Sequence, residues 1–289
     1  MVLGLLSVVF ISKFQCNESY IKIDETIRGM DTYILQTASS NVNDDLIELF
    51  LIMDTLKRAS ASSINIIMPH FAYARQDKKS APREPISARL IADLLQAVKI
   101  DRLITMDLHA DQIQGFFDIP VDHLTAMPLF VDYFKEKKLK DLVVVAPDTG
   151  RAKFAKKLGD KLGADLAIMH KTRPDHNVAE IVHLVGDVKD KNVVIVDDMV
   201  DTAGTLTKAA DLMINKGAKS VRAVCTHALL SGDACERIEK SMLKELIVTD
   251  SIPQKKESKK VNVITCAKLF SDVMHNVNNN QSINPFFIK

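Results

Sequence analysis

Val193-Val194-Ile195-Val196-Asp197-Asp198-Met199-Val200-Asp201-Thr202-Ala203-Gly204-Thr205 is the stretch on which the reading of this chain turns. Four β-branched residues in a row, Val193 to Val196, predict a parallel strand buried on both faces. Two adjacent carboxylates, Asp197 and Asp198, stand at its carboxyl end, followed by a short loop of Asp, Thr, Ala and Gly. Leu206 to Asn215 then carry a helical pattern that Gly217 closes. In open α/β sheets ligands sit at the carboxyl ends of strands, and a helix N-terminus binds phosphate through backbone N–H groups. Small residues let that backbone come close, and Thr202 and Thr205 add hydroxyl donors. Adjacent carboxylates on a buried strand need something that uses their acceptors; vicinal sugar hydroxyls or a Mg²⁺ ion would both serve. The residues read as a sugar-phosphate pocket, and an ordinary acidic strand-to-helix turn is the bland alternative.

Outward from that stretch the second half alternates strand and helix, which predicts a mostly parallel sheet. Leu142 to Ala146 is a strand leading into Pro147-Asp148-Thr149-Gly150-Arg151, and Ala152 to Leu162 is a helix ended by Gly163. Leu166 to Met169 leads into His170-Lys171-Thr172-Arg173. Ile181 to Val185, Val221 to Cys225, Leu246 to Val248 and Val261 to Ile264 are further strands, with a helix from Ala267 to Val277.

The first half carries a short alternating stretch at Tyr20 to Ile23, an apolar run at Thr32 to Gln36 and an amphipathic helix from Asp44 to Arg58. Ile64 to Met68 is a strand followed by Tyr73-Ala74-Arg75-Gln76-Asp77-Lys78-Lys79. Such a basic run is commonly a solvated surface, but beside a strand end it also suits a polyphosphate. Pro85 to Val98 is a helix with Pro85 at or near its first turn. Arg102 to Leu108 is a strand running into Asp107-Leu108-His109, with Asp118 and Asp122 downstream, a spacing open to a metal or phosphate role. The boundary between halves falls just before Ala126. Residues 1–125 and 126–278 then form two domains, with the tail 279–289 expected to pack back on the first.

The totals narrow the function classes. A chain of 289 residues with net charge +1 offers no argument for nucleic acid or a membrane surface. Cys16, Cys225, Cys235 and Cys266 lie far apart without metal-ligand spacing, which predicts a reduced, cytoplasmic protein. Met1 to Ser12 is apolar but too short to span a bilayer and lacks a positive leader, so it is expected to be a buried strand.

The opening stretch resembles the ribose-5-phosphate loop shared by type I phosphoribosyltransferases and ribose-phosphate pyrophosphokinases (PRPP synthetases). The segment Asp107 to Asp122 resembles the signature of the second family, and residues 73–79 are similar to its ATP-binding segment. Pro147-Asp148-Thr149-Gly150, His170-Lys171-Thr172-Arg173 and Val196 to Thr205 follow in that family's order, so the resemblance runs from about Lys13 to the end. It implies an α/β fold of two tandem phosphoribosyltransferase-like domains, each a mostly parallel sheet flanked by helices. It implies diphosphoryl transfer from ATP to ribose 5-phosphate, giving PRPP and AMP, with Mg²⁺ as cofactor. It also implies a homo-oligomer built from dimers, commonly a hexamer, or a hetero-oligomer with paralogues.

Carried over residue by residue, the resemblance makes Lys171 and Arg173 catalytic. Phe14, Cys16, Asn17, Glu18, Arg75, Gln76, Asp77, Lys78, Lys79 and His109 would bind ATP. Arg173, Asp197, Asp198, Asp201, Thr202, Ala203, Gly204 and Thr205 would bind ribose 5-phosphate, and Asp148, Thr149 and Gly150 form the pyrophosphate loop. Metal would rest on His109 and Asp148, with Asp107, Asp118 and Asp122 as further carboxylates.

Four departures accompany it. The family's opening strand and helix have no counterpart here, and Cys16 stands where an Asn is expected. Arg151 replaces a second Gly, where its side chain would crowd the loop or add a phosphate contact. Residues 80–84 differ in detail. The family also includes non-catalytic associated proteins. Lys171 and Arg173 favour a catalyst, while the short N-terminus favours the regulatory alternative.

Overall fold

A computed structural model describes residues 9–39, 41–172 and 181–287. The chain divides into two compact units, Met1–Leu124 and Thr125–Lys289. The first holds a hairpin and a four-stranded parallel sheet in the order β3-β4-β5-β6. Its strands are β3 (Asp31–Leu35), β4 (Ser63–Ile67), β5 (Arg102–Met106) and β6 (Val121–Leu124). Helices α1 (Val42–Arg58) and α2 (Ser87–Ala97) cross between them. Leu49 and Met53 of α1 and Leu95 of α2 join Ile64, Ile66 and Leu103 in one core. The acidic first turn of α1 (Asp44, Asp45) and its basic last turn (Lys57, Arg58) match the helix dipole. Pro85 lies ahead of the N-cap Ile86 rather than in the first turn.

The apolar N-terminal stretch departs from expectation. Val9–Lys13 (β1) is a strand, but it pairs antiparallel with Ser19–Ile23 (β2) in a two-stranded hairpin separate from the sheet. Phe10 and Ile11 are therefore exposed, because a two-stranded ribbon has no second layer on its outer face. Phe10 and Phe14 each meet Tyr20 edge-on at 6.4 and 6.0 Å.

The second unit is built on a seven-stranded sheet in the order β13-β12-β11-β10-β7-β8-β9, parallel except for β9. Its central strands, β7 (Leu142–Ala146) and β10 (Asn192–Val200), carry the all-apolar runs Val143–Ala146 and Val193–Val196, all of them fully buried. Helices lie on both faces. Gly159 of α4 (Ala152–Leu162) sits over Val144, while Leu206 and Met213 of α5 (Gly204–Asn215) share a core with Val143, Val145, Val193 and Ile195. Alternating side chains of one strand thus meet different helices. Strands β8 (Asp165–Thr172) and β9 (Ile181–Val185) form an antiparallel edge, β8 reaching past the Met169 expected to end it. Gly186 follows at φ 114°, where a Cβ would lie 2.7 Å from that of Ala167, so only glycine fits.

Strands β11 (Ser220–Ala228), β12 (Leu243–Thr249) and β13 (Val261–Ile264) complete the sheet, and α3 (Met127–Lys137), α6 (Ala234–Lys240) and α7 (Ala267–Asn278) complete the unit. The topology has one decisive place. From β7 the chain proceeds through α4 to β8 on one side, and from β10 through α5 to β11 on the other. The strand order reverses between β7 and β10, and ligands of open sheets collect at such a switch point, outside the carboxyl ends of its strands.

Candidate active site

The register shows how β10 presents its carboxylates. Pairing with β7 ends at Ile195↔Val145, whereas pairing with β11 continues to Val200↔Ala228. Asp197 and Asp198 are thus held in extended geometry by β11 alone, and their other flank faces the loop leaving β7. The sequence pattern predicts a strand ending at Val196; the ladder with β11 carries it four residues further, to Val200.

The two acids differ in exposure. The side chain of Asp197 is 27 % exposed and that of Asp198 2 %. Asp197 Oδ1 accepts the backbone N–H of Asp198 at 2.9 Å. Burial raises the Asp197 carboxyl well above its ordinary range, the neighbouring Asp198 charge adds to this, and Arg151 opposes it. Burial also pushes the thiol of Cys225, opposite Asp197 on β11, far upward, with the two carboxylates contributing.

Beyond the strand, Asp201, Thr202 and Ala203 make the turn into α5. Ala203 takes a left-handed conformation at φ 59°, a cost of roughly 1–2 kcal/mol for a residue with a Cβ. Backbone bonds from Leu229 and Leu230 to the Val200 carbonyl, and from Ser231 to that of Asp201, hold the turn in place. Arg237 on α6 donates to the Thr202 carbonyl at 3.2 Å. The N-cap residue, Ala203, makes no side-chain cap, and the N–H groups of Gly204, Thr205 and Leu206 lie in the first turn at the positive end of the helix dipole. A helix start of this kind is suited to an anion.

On the other side of the switch, the Asp148-Thr149-Gly150 turn closes on itself. Asp148 Oδ1 accepts the Arg151 N–H at 3.0 Å, and Ala152 N–H bonds to the Thr149 carbonyl at 3.3 Å. Arg151 then reaches across, its Nη2 2.9 Å from Asp198 Oδ1 and its Nε 4.0 Å from Asp197 Oδ1. Lys171 falls on β8 with its backbone opposite Val182, its side chain outside what is described. Arg173 lies outside the described residues.

In the first unit the residues expected to bind ATP occupy two places. Phe14, Cys16, Asn17 and Glu18 form the tip of the β1–β2 hairpin, closed by Phe14 N–H to the Glu18 carbonyl at 2.9 Å. Arg75, Gln76, Asp77, Lys78 and Lys79 lie in the loop leaving the carboxyl end of β4. That loop is held by a bond from the first residue of α2, Ser87, whose hydroxyl donates to Gln76 Oε1 at 2.6 Å, and by Glu84, which accepts the N–H groups of Ser80 and Ala81 at 2.8 Å. Arg75, Lys78 and Lys79 remain exposed.

Asp107 and His109 follow β5 at that same edge, Asp107 buried and left-handed at φ 39°, His109 exposed. His123 on β6 accepts the Leu108 N–H at 2.8 Å and so holds this turn. Asp118 and Asp122 are elsewhere. Asp122 pairs in register with Ile104, and Asp118 precedes β6 with its N–H donated to Gln96 at 2.6 Å, so both lie toward the amino ends of the strands. Three residues of extended chain, about 10 Å, separate the level of Ile104 from Asp107. Among the described residues no three His, Cys, Asp or Glu side chains gather as a metal site. Mg²⁺ is commonly held by one or two carboxylates plus substrate phosphates rather than by a protein cage.

Sequence reasoning left the side chain of Arg151 undecided and missed Arg237. The helix carrying Arg237 spans only seven residues, too few for a periodic signal.

A doubly wound sheet with an acidic strand end and an open helix N-terminus at its switch point defines the class of sugar-phosphate-binding α/β proteins. Comparison with known proteins makes this particular. Residues 5–98 match the N-terminal domain of ribose phosphate pyrophosphokinase and residues 171–288 the phosphoribosyl synthetase-associated domain. The chain is 50 % identical over 283 residues to the ribose-phosphate pyrophosphokinase of Wolinella succinogenes, covering 98 % of this chain and 92 % of that one. The enzyme of the same name from Fusobacterium nucleatum is 49 % identical over 281 residues, 96 % of this chain and 89 % of its own. The crystal structure of phosphoribosylpyrophosphate synthetase from Mycobacterium smegmatis superposes with a TM-score of 0.90 at 42 % identity, covering 94 % of this chain and 91 % of that one. The chain belongs to the ribose-phosphate pyrophosphokinase family. These relatives carry the enzyme's name, and nothing in them favours the regulatory alternative.

Proposed function

We propose that this protein is a ribose-phosphate diphosphokinase: it transfers the β,γ-diphosphoryl group of ATP to the anomeric hydroxyl of ribose 5-phosphate, giving PRPP and AMP for nucleotide synthesis. The observation that carries this reading is identity near one half along almost the whole chain to enzymes of that name. In the reaction the anomeric oxygen attacks the β-phosphorus, the bond to the α-phosphate bridging oxygen breaks, AMP leaves, and the hydroxyl proton is released. Such transfer needs positioning and charge stabilisation more than covalent help.

The start of α5, with Thr202, Ala203, Gly204 and Thr205, holds the 5-phosphate, while Asp197, Asp198 and Asp201 orient the ribose hydroxyls. Arg75, Gln76, Asp77, Lys78 and Lys79 hold the ATP phosphates, and Phe14, Cys16, Asn17 and Glu18 the nucleoside. Asp148, Thr149 and Gly150 receive the diphosphoryl group. Lys171 and Arg173 stabilise charge as it develops. Mg²⁺, when bound with ATP, supplies charge neutralisation on the polyphosphate, with Asp148 and His109 as the residues closest in role. The assembly proposed is a cytoplasmic homo-oligomer built of dimers, a hexamer, and the exposed Phe10, Ile11 and Tyr20 are the kind of surface that such an assembly covers. Among the described residues no helix is long and apolar enough to cross a membrane.

The test is formation of AMP and PRPP from ATP, ribose 5-phosphate and Mg²⁺ by the purified chain. Turnover should fall by about 10²–10³ in Lys171→Ala, the usual loss of one charge-stabilising donor. A folded wild-type oligomer without turnover would overturn the proposal.

A further inference from the structure

The two units follow one plan, and the first leaves one place in it unfilled. In the second unit the antiparallel hairpin β8–β9 is followed by β10, β11, β12 and β13, side by side in sequence order, and β7 stands between the hairpin and β10. In the first unit the antiparallel hairpin β1–β2 is followed by β3, β4, β5 and β6, again side by side in sequence order. Among the described residues no strand stands between that hairpin and β3, and β3 is the edge of its sheet. The hairpin nevertheless keeps its station. Lys13 Nζ lies 3.0 Å from Asp44 Oδ2 of α1, and Ile21 and Ile23 pack on the core to which α1 contributes.

The edge is open in its backbone as well as its side chains. The Gln36 N–H goes to the Ile67 carbonyl at 3.0 Å, and Leu35 stands opposite Ile67 in register. Successive residues of a parallel strand turn their polar groups to opposite sides, so Tyr33 and Leu35 direct their N–H and C=O groups away from β4. Leu35 is 68 % exposed, whereas on β10, flanked by β7 and β11, Val193 to Ile195 are fully buried. Sheet edges are commonly blunted by charge or proline, and neither Tyr33 nor Leu35 supplies one.

We propose that the β3 edge is a docking site for an extended apolar segment of another polypeptide, which adds as a parallel strand in the place that β7 holds beside β10. The second unit states the chemistry of the occupant. There β7 offers Leu142-Val143-Val144-Val145-Ala146, an uninterrupted apolar run that fills both faces of the sheet while its backbone completes the ladder.

A fluorescent peptide of residues 140–148, in which Lys140, Asp141 and Asp148 flank the apolar run, is the probe, titrated into the full chain by anisotropy. Wild type should bind it saturably, with slowed hydrogen exchange at the Tyr33 and Leu35 amides. A peptide carrying Val144→Asp should bind about tenfold more weakly or worse. In the protein, Leu35→Pro removes an outward N–H and spares the ladder with β4. It should lose about tenfold or more in peptide affinity while its Tm without peptide stays near wild type. Should Leu35→Pro not fold, Leu35→Lys, a charge of the kind that blunts natural edges, makes the same comparison. A photo-crosslinker at the amino end of the peptide should attach near Asp31, as parallel pairing requires. Absence of binding by wild type, equal binding by wild type and variant, or attachment near Leu35 overturns the proposal. So does self-association of wild type that Leu35→Pro abolishes while the peptide goes unbound, since the edge would then belong to a second copy of the chain.

Discussion

Arg102 and Asp122 face each other at the amino end of the first unit's sheet, Nη1 2.7 Å from Oδ2, with the Asp122 side chain 7 % exposed. Burial raises the Asp122 carboxyl above its ordinary range, and the guanidinium opposes the shift. This acid is part of the sheet's own support. Asp122→Ala should therefore destabilise the protein by roughly 2–3 kcal/mol, less than the loss from a fully buried pair because Arg102 keeps some solvent. Asp122→Asn should leave the Mg²⁺ dependence of turnover unchanged. Denaturant unfolding and a Mg²⁺ titration of the rate check the two halves of this expectation, and a raised Mg²⁺ requirement in the Asn variant would return Asp122 to the metal.

Asp197 and Asp198 are neighbours with different duties. Asp197→Ala removes the more exposed acceptor and should raise KM for ribose 5-phosphate by about tenfold to a hundredfold. Its stability should change by less than about 1 kcal/mol, since a repelling charge goes with it. Asp198→Ala strips a buried partner from Arg151 and should cost roughly 2–3 kcal/mol as well as substrate affinity. Thermal unfolding beside substrate kinetics separates the two; equal stability losses would contradict the exposure difference.

Gly186→Ala should be among the most damaging single-atom changes in the second unit. The added methyl would lie 2.7 Å from Ala167 Cβ and 2.9 Å from the Leu166 carbonyl oxygen, at φ 114°. Left-handed strain and steric overlap together predict a loss of roughly 3 kcal/mol or more. Soluble yield and the denaturation midpoint report it.

Glu245 predicts an acid-sensitive second unit. Burial tends to raise its carboxyl, but bonds from Tyr133 at 2.9 Å and Arg222 at 2.7 Å outweigh that and hold it below the ordinary 4.5. A depressed carboxyl contributes stability that is fully present above its unfolded pKa and lost as pH falls through the folded one. Stability should drop below about pH 4.5 on this account. Glu245→Gln should be less stable at neutral pH and show a flatter acid limb, read from unfolding curves across pH 2.5–7 by urea titration.

Much of the fold could be read along the chain because its cause is local. Val143–Ala146 and Val193–Val196 announce buried parallel strands by being apolar without interruption, and α4 is bounded by Gly163 at φ 63°. The four residues of β6 escaped notice because Asp122 and His123 stand between Val121 and Leu124, and β6 exists through pairing with β5. The apolar N-terminal stretch misled in the opposite direction. Hydrophobicity alone predicts burial, but Phe10 and Ile11 lie on a strand that, among the described residues, pairs with β2 alone.

By itself, then, the sequence determined the element types, the acidic strand end and the small-residue turn into α5, since these follow from side-chain shape, periodicity and backbone preference within a few residues. Only the tertiary structure decided which chemical groups meet. It set Asp118 and Asp122 toward the far ends of the strands from Asp107, and it brought Arg151 onto Asp198 from 47 positions away. Strand order and register govern such meetings, and they are settled by packing across the whole sheet rather than by neighbours along the chain.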